Sequence, residues 1–155
     1  MTTLRTFVLV VATLSMGLAA GLFYTFQVAV MRGLARTDDR TFVAAMQWIN
    51  VKILNFWFAL SFGFALPLTI VAAILLIGEP AALAWTVAAA VLYFAVIVIT
   101  FARNVPLNNA LNAAGDRDPA AARRAFEKPW VRWNLARTWL SLADFACLDI
   151  ATTNA

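Results

Sequence analysis

The sequence contains no histidine and a single cysteine, Cys147, in 155 residues. Without imidazole the usual ligand for haem, zinc, copper and non-haem iron is gone, so no metal site is expected. One thiol excludes an internal disulfide. There is no GxxxxGK[ST] or GxGxxG loop to cradle a nucleotide phosphate. Charge is scarce too: 13% of residues are charged, against about 25% in an ordinary soluble domain. No repeat or low-complexity segment divides the chain, which reads as one domain over residues 1–155.

What remains is apolar. Hydrophobic residues make up 63% of the chain, more than a water-facing fold of this size can hide. Thr6 to Met31, Ile53 to Gly78 and Pro80 to Ala102 carry no charge. Each exceeds the ~20 residues a helix needs to cross a bilayer core. None alternates with the period of two that a barrel strand requires, so all three read as membrane helices. The first begins like a signal peptide, with Arg5 and then Leu18-Ala19-Ala20, but its apolar run continues to Met31, too long for an h-region.

A fourth helix over residues 129–150 completes the expected fold: an all-α integral membrane four-helix bundle with spans near 6–31, 53–78, 80–103 and 129–150. Short interfacial helices are expected in the first and third connections. The net charge of +4 then reports topology rather than nucleic-acid binding. Eleven of the twelve basic residues flank or fill the first and third connections, and only Arg5 lies opposite. The positive-inside rule places both basic connections in the cytoplasm and both termini outside.

Local signals set the details. Gly17 and Gly21 form a GxxxG, which either lets helices approach closely or reflects the ordinary frequency of glycine in membrane helices. Asp38 or Asp39 caps a short helix with Phe42, Ala45, Met46 and Ile49 on one face and Trp48 suited to the headgroup zone. Pro67 should kink the second span or break its ladder, and Pro106 should end or bend the third. Glu79-Pro80 leaves only a tight turn between those two spans. Tyr93, mid-span, needs a hydroxyl partner. Asn108 and Asn112 share a face. Asp118-Pro119 opens a short surface helix, and Pro129 opens the fourth span in the same way.

The stretch WVRWNLARTWL, Trp130 to Leu140, carries the strongest functional signal. Trp130, Trp133, Asn134, Arg137, Thr138 and Ser141 follow i, i+3, i+4, i+7, i+8, i+11 and lie on one face, with Asp144 next. Arg137 stands about 12 Å along the helix from Pro129. A guanidinium facing lipid at that depth costs several kcal/mol. This face should therefore turn inward, toward Tyr24, Gln27 and the asparagines of residues 104–112. Two readings of such a cluster stay open: a polar clasp that fixes helix order, or a ligand pocket.

The segments GLFYTFQVAVM, RTDDRTFVAAMQWIN, NVPLNNAL and FEKPWVRWNLART resemble a family of small bacterial membrane proteins described as anthrone oxygenase-like. The resemblance spans roughly residues 10–140. By position it singles out Asn104, Pro106, Asn108, Trp130, Trp133, Asn134, Arg137 and Thr138, with Gln47 and Asn50 behind them; Asp144 lies outside the pattern. It implies a bacterial inner-membrane oxidoreductase that oxidises an anthrone with O₂ and needs no cofactor. On that reading Arg137 with Asn108 or Asn134 holds the developing oxyanion and Asp144 is the base. Tyr24, Gln27, Asn104, Trp130, Trp133 and Thr138 contact the substrate. The alternative is a non-catalytic membrane protein that binds a lipid or small hydrophobe, or a structural partner in a larger complex. The expected partners are the bilayer and a hydrophobic small molecule, not nucleic acid, with a homo-oligomer left open.

Overall fold

Uncharged stretches longer than twenty residues can satisfy their backbone away from water only within themselves or in a closed barrel. This chain does so with helices. The computed structural model describes residues 2–155. Five long helices carry the architecture: α1 Thr3–Leu34, α2 Asp39–Lys52, α3 Phe56–Leu75, α4 Pro80–Ala114 and α5 Pro119–Thr153, with no strand among the described residues. Helices α1, α3 and α4 are long and apolar enough to cross a membrane. The long α5 packs along α4 and α1, and α3 packs against α1 and α4. Their shared core runs from Leu9, Met16 and Phe23 of α1 to Tyr93 and Val96 of α4 and Leu148 of α5.

The caps form as the sequence predicts. Asp38 opens α2 by accepting the Thr41 backbone N–H at 3.0 Å, and Asp118 opens α5 by accepting that of Ala121 at 2.9 Å, with Pro119 in the first turn. The α3–α4 turn uses Gly78 at φ 107°, a conformation that a side chain would strain. At this end Arg5 meets Glu79 at 3.0 Å. The one cation set apart from the basic connections is therefore ion-paired. The Tyr93 hydroxyl donates to the Phe62 carbonyl at 2.7 Å, which ties α4 to α3.

Pro67 and Pro106 act locally. The ladder widens to π geometry at Ala59–Gly63 before Pro67 and at Thr100–Asn104 before Pro106, and both helices then continue. Pro106 thus does not end α4. The expectation of two helices on either side of Pro129 is also corrected, because Pro129 lies inside the single helix α5. A proline there removes one ladder bond. Phe126 and Trp130, flanking it, are both buried in one cluster with Met31, Phe42, Met46 and Leu111, and that packing carries the helix through.

The same cluster seats α2. Phe42, Val43 and Met46 are buried and Trp48 is exposed. Arg123 of α5 fastens the first connection in place. It donates to the carbonyls of Thr37 at 2.9 Å and Ala35 at 3.0 Å and pairs with Asp39 at 3.1 Å and Glu127 at 2.7 Å. The Glu127 hydrogen bond is the main cause that holds its guanidinium charged above the usual range.

Candidate functional site

The polar face of α5 does turn inward. Asn134, Arg137, Thr138, Ser141 and Asp144 are all buried. Arg137 is 5% exposed. Its guanidinium lies 4.4 Å from the Phe23 ring and 5.5 Å from that of Trp130, contacts that favour a desolvated cation. One Nη donates to Asn134 Oδ1 at 2.9 Å, the other lies 3.4 Å from Thr100 Oγ1, and Nε has no partner. Among the described residues no carboxylate pairs with it. Arg123 has two carboxylates and Arg137 has none. A buried cation without a counter-ion is costly to hold and projects its field into whatever space it faces.

That space is a cavity of about 380 Å³, within the range of small-molecule sites. Its walls are aromatic, with Phe23, Phe26, Phe58, Phe62, Phe101 and Trp130. Its polar groups are Arg137, Asn134, Thr100 and the amides of Asn50, Asn104, Asn108, Asn109 and Asn112. Arg137 is the one charged side chain among these wall residues. Three π turns, Phe26–Val30, Ala59–Gly63 and Thr100–Asn104, lie in the three apolar helices, and each contributes to the wall. Such turns recur at functional sites because they re-aim the side chains around them.

Second contacts fix the polar groups. Asn134 Nδ2 donates to the Phe23 carbonyl and to Gln27 Oε1, both at 3.1 Å. Trp130 Nε1 donates to Asn108 Oδ1 at 2.8 Å. Asn104 is buried; its Nδ2 lies 3.5 Å from the Trp130 carbonyl and its Oδ1 has no partner. The Thr138 hydroxyl donates to the Asn134 carbonyl at 2.8 Å.

Four of the ten residues singled out from the sequence meet at the cavity with Arg137: Asn104, Asn108, Trp130 and Asn134. Gln27 and Thr138 stand behind them, bonded to Asn134. Three are not brought there. Tyr24 is 49% exposed, because Phe23 and Gln27, four residues apart, take the inward face. Trp133 turns aside to lie under Arg103 at 5.1 Å. Asp144 faces inward but does not line the cavity, and neither carboxylate oxygen has a partner. Seven residues carry it about two turns further along α5.

The sequence reading missed Thr100 and assigned none of the individual phenylalanines of the wall. Thr100, Asn104, Asn108 and Asn112 recur every four residues, and that stripe was the signal available. No group of three or more His, Cys, Asp or Glu side chains suited to a metal lies together among the described residues.

A family model described as anthrone oxygenase matches residues 54–147, more than half of the chain. No curated protein and no solved structure matches it.

Proposed function

This chain belongs to the anthrone oxygenase family, and we propose that it oxidises a hydrophobic anthrone-like or quinol-like substrate with O₂ in the Arg137 cavity, without a cofactor. The observation that carries the reading is the buried guanidinium, unpaired by any carboxylate and facing an aromatic-walled space. A cation so placed stabilises an oxyanion more than it stabilises a neutral carbonyl, which is the differential interaction that catalysis requires.

The chemistry follows from that charge. The methylene C–H of an anthrone breaks, its electron pair moves onto the carbonyl oxygen, and Arg137 holds the resulting enolate. The cavity wall has no Asp, Glu, His or Lys, so the proton passes to water at the rim, where Asn109 and Asn112 are exposed. The enolate gives one electron to O₂, and the radical and superoxide combine at the former methylene carbon. Protonation and loss of water then form the second carbonyl. An anthrone and O₂ thus become an anthraquinone and water, while a quinol, giving up two electrons and two protons, would become a quinone with O₂ leaving as hydrogen peroxide; neither needs an outside reductant. Asn134 acts as a positioning residue for Arg137, and Asn104 and Asn108 supply amides for the substrate's oxygens. Trp130 and the phenylalanines stack on the rings.

The same reading sets α5 across the bilayer as a fourth span, in a bacterial inner membrane. The connections rich in Arg and Lys face the cytoplasm and the two termini lie outside. A C-terminal tag should be cleaved by protease added to spheroplasts; protection would reverse the orientation.

The activity test is O₂ uptake by the purified protein with an anthrone. Arg137→Met should lower kcat/KM by about 10²–10³, the usual effect of removing one oxyanion donor. Arg137→Lys keeps the charge and should retain part of the rate, with a thermal melt reporting whether each variant folds. Uptake no faster than the protein-free background, or a folded Arg137→Met as active as the parent, would defeat the reading.

A further inference from the structure

The Arg137 cavity does not end at its aromatic wall. Leu22, Ile53 and Phe58 line it and also line a second space, an apolar groove of about 570 Å³ between α1 and α3. Along α1 the groove follows Val11, Leu14, Leu18 and Leu22, one stripe at helical spacing. Along α3 it runs from Trp57 to Leu68. Each wall spans eleven residue steps, about 16 Å of helix.

The two spaces differ in what they ask of an occupant. In the groove, Asn55 is engaged with the Phe58 N–H and the Lys52 carbonyl, and the Ser61 hydroxyl with the carbonyls of Trp57 and Phe58. These two side chains serve their own helix, and the groove's one other polar side chain is the Ser15 hydroxyl of α1. In the cavity, Arg137 Nε and Asn104 Oδ1 are buried and unpartnered. The charged group and its amides therefore sit at one end, and a long, mostly apolar trough leads away from them. The outer edge of that trough, at Leu14 and Leu18, is exposed on a helix apolar enough to cross a membrane.

We propose that cavity and groove form one site for an amphiphile. A membrane-resident phenol, quinol or anthrone-like head lies beside Arg137, and its aliphatic tail passes over Leu22, Ile53 and Phe58 and runs along the α1–α3 groove. This rests on the reading of the Arg137 cavity as the substrate site. Phe58 stacks on Phe62 at 5.0 Å, with ring planes 7° apart. The residue over which the tail passes thus belongs to the wall that receives the head. Lipid tails are as apolar as the groove, so the tail gains little hydrophobic free energy by entering. Its role is register: it sets which edge of the head meets the guanidinium, and it selects substrates that reach the site through the bilayer.

The test uses the full chain in phosphatidylcholine nanodiscs and three photoreactive probes. One is a dodecyl hydroquinone with a diazirine on the ring. Another carries the diazirine at the chain end. The third is the same diazirine chain without the ring. The ring probe should label residues 100–108 and 130–137. The chain-end probe should label residues 11–18 and 60–68, and excess tailless hydroquinone should reduce this at least tenfold. Ser61→Trp, which fills the groove, should abolish chain-end labelling there with ring labelling kept. Chain-end labels scattered over lipid-facing residues such as Val91 and Phe94, with the ring in the cavity, would overturn the proposal and leave the oxygenase reading standing. Equal groove labelling by the ringless chain would also overturn it, making the groove a seat for ordinary lipid. A ring probe absent from the cavity would bring down both.

Discussion

Replacing Asn134 by alanine separates the support of the site from the chemistry of the site. Asn134 makes two interhelical hydrogen bonds, to the Phe23 carbonyl and to Gln27 Oε1, and accepts the shortest bond of Arg137. Interhelical hydrogen bonds in membrane proteins average about 0.6 kcal/mol and reach about 1.7. The two lost bonds, with the partners left unsatisfied, should therefore cost about 1–3 kcal/mol. For a chain of this length that lowers the melting temperature by roughly 3–8 °C. The guanidinium keeps its ring contacts and the 3.4 Å approach to Thr100, but no longer has a short bond to aim it. A loss of about 10–100-fold in kcat/KM, or roughly 1.4–2.8 kcal/mol of transition-state stabilisation, should follow. The assay pairs a thermal melt in detergent with O₂ uptake across substrate concentrations. A melt shifted as expected with kcat/KM unchanged would refute the positioning role. An unshifted melt would refute the network itself.

Other outcomes follow from single contacts. A Cβ on Gly17 would stand 3.0 Å from the Phe145 ring, so Gly17→Leu should force α1 from α5 and lower the melt, whereas Gly21→Ala, with open space around it, should be neutral. Asp144→Leu should raise thermal stability by about 1–3 kcal/mol, because it removes a buried polar group without a partner; a lower melt would mean that the carboxyl has a partner. Trp130→Phe frees Asn108 from its 2.8 Å bond and should raise KM more than it lowers kcat. The Asp38 carboxyl is held below its ordinary 3.8 by hydrogen bonds from Thr41. A depressed carboxyl stabilises its helix at pH above the unfolded value and loses that contribution as pH falls through the folded one. The amide protection factors of residues 39–43, taken against the intrinsic exchange rate at each pH, should fall in acid, and Asp38→Asn should flatten that dependence.

Much of this was legible because each signal was local. Uncharged length announced the apolar helices, Asp38 and Asp118 announced the caps of α2 and α5, and the cost of a guanidinium in hydrocarbon fixed the rotation of α5. What failed depended on phase or on partners distant in the chain. Tyr24 and Gln27 look like one polar patch in sequence, yet one residue of helical phase puts Phe23, not Tyr24, beside Asn134, 111 positions away. Asp144 shares the face of Arg137, but a shared face says nothing of depth, and two turns take it past the cavity. Pro129 reads as a helix start, but packing on both sides carried one helix through it. The cavity itself has no sequence motif, because it is the space left between five helices.

The π turns of α3 and α4 tie the aim of the cavity walls to how those helices wind. Each takes up about one residue more than a plain α turn, so the faces before and after it are offset from a regular helical repeat. Were Thr100–Asn104 wound as regular α-helix with all its residues kept, everything beyond it would swing by about 100°. Asn108 and Asn112 would then rotate off the site with no side chain in it changed. A relative one residue shorter at this point should instead wind as plain α-helix and keep its asparagine row aimed at the cavity.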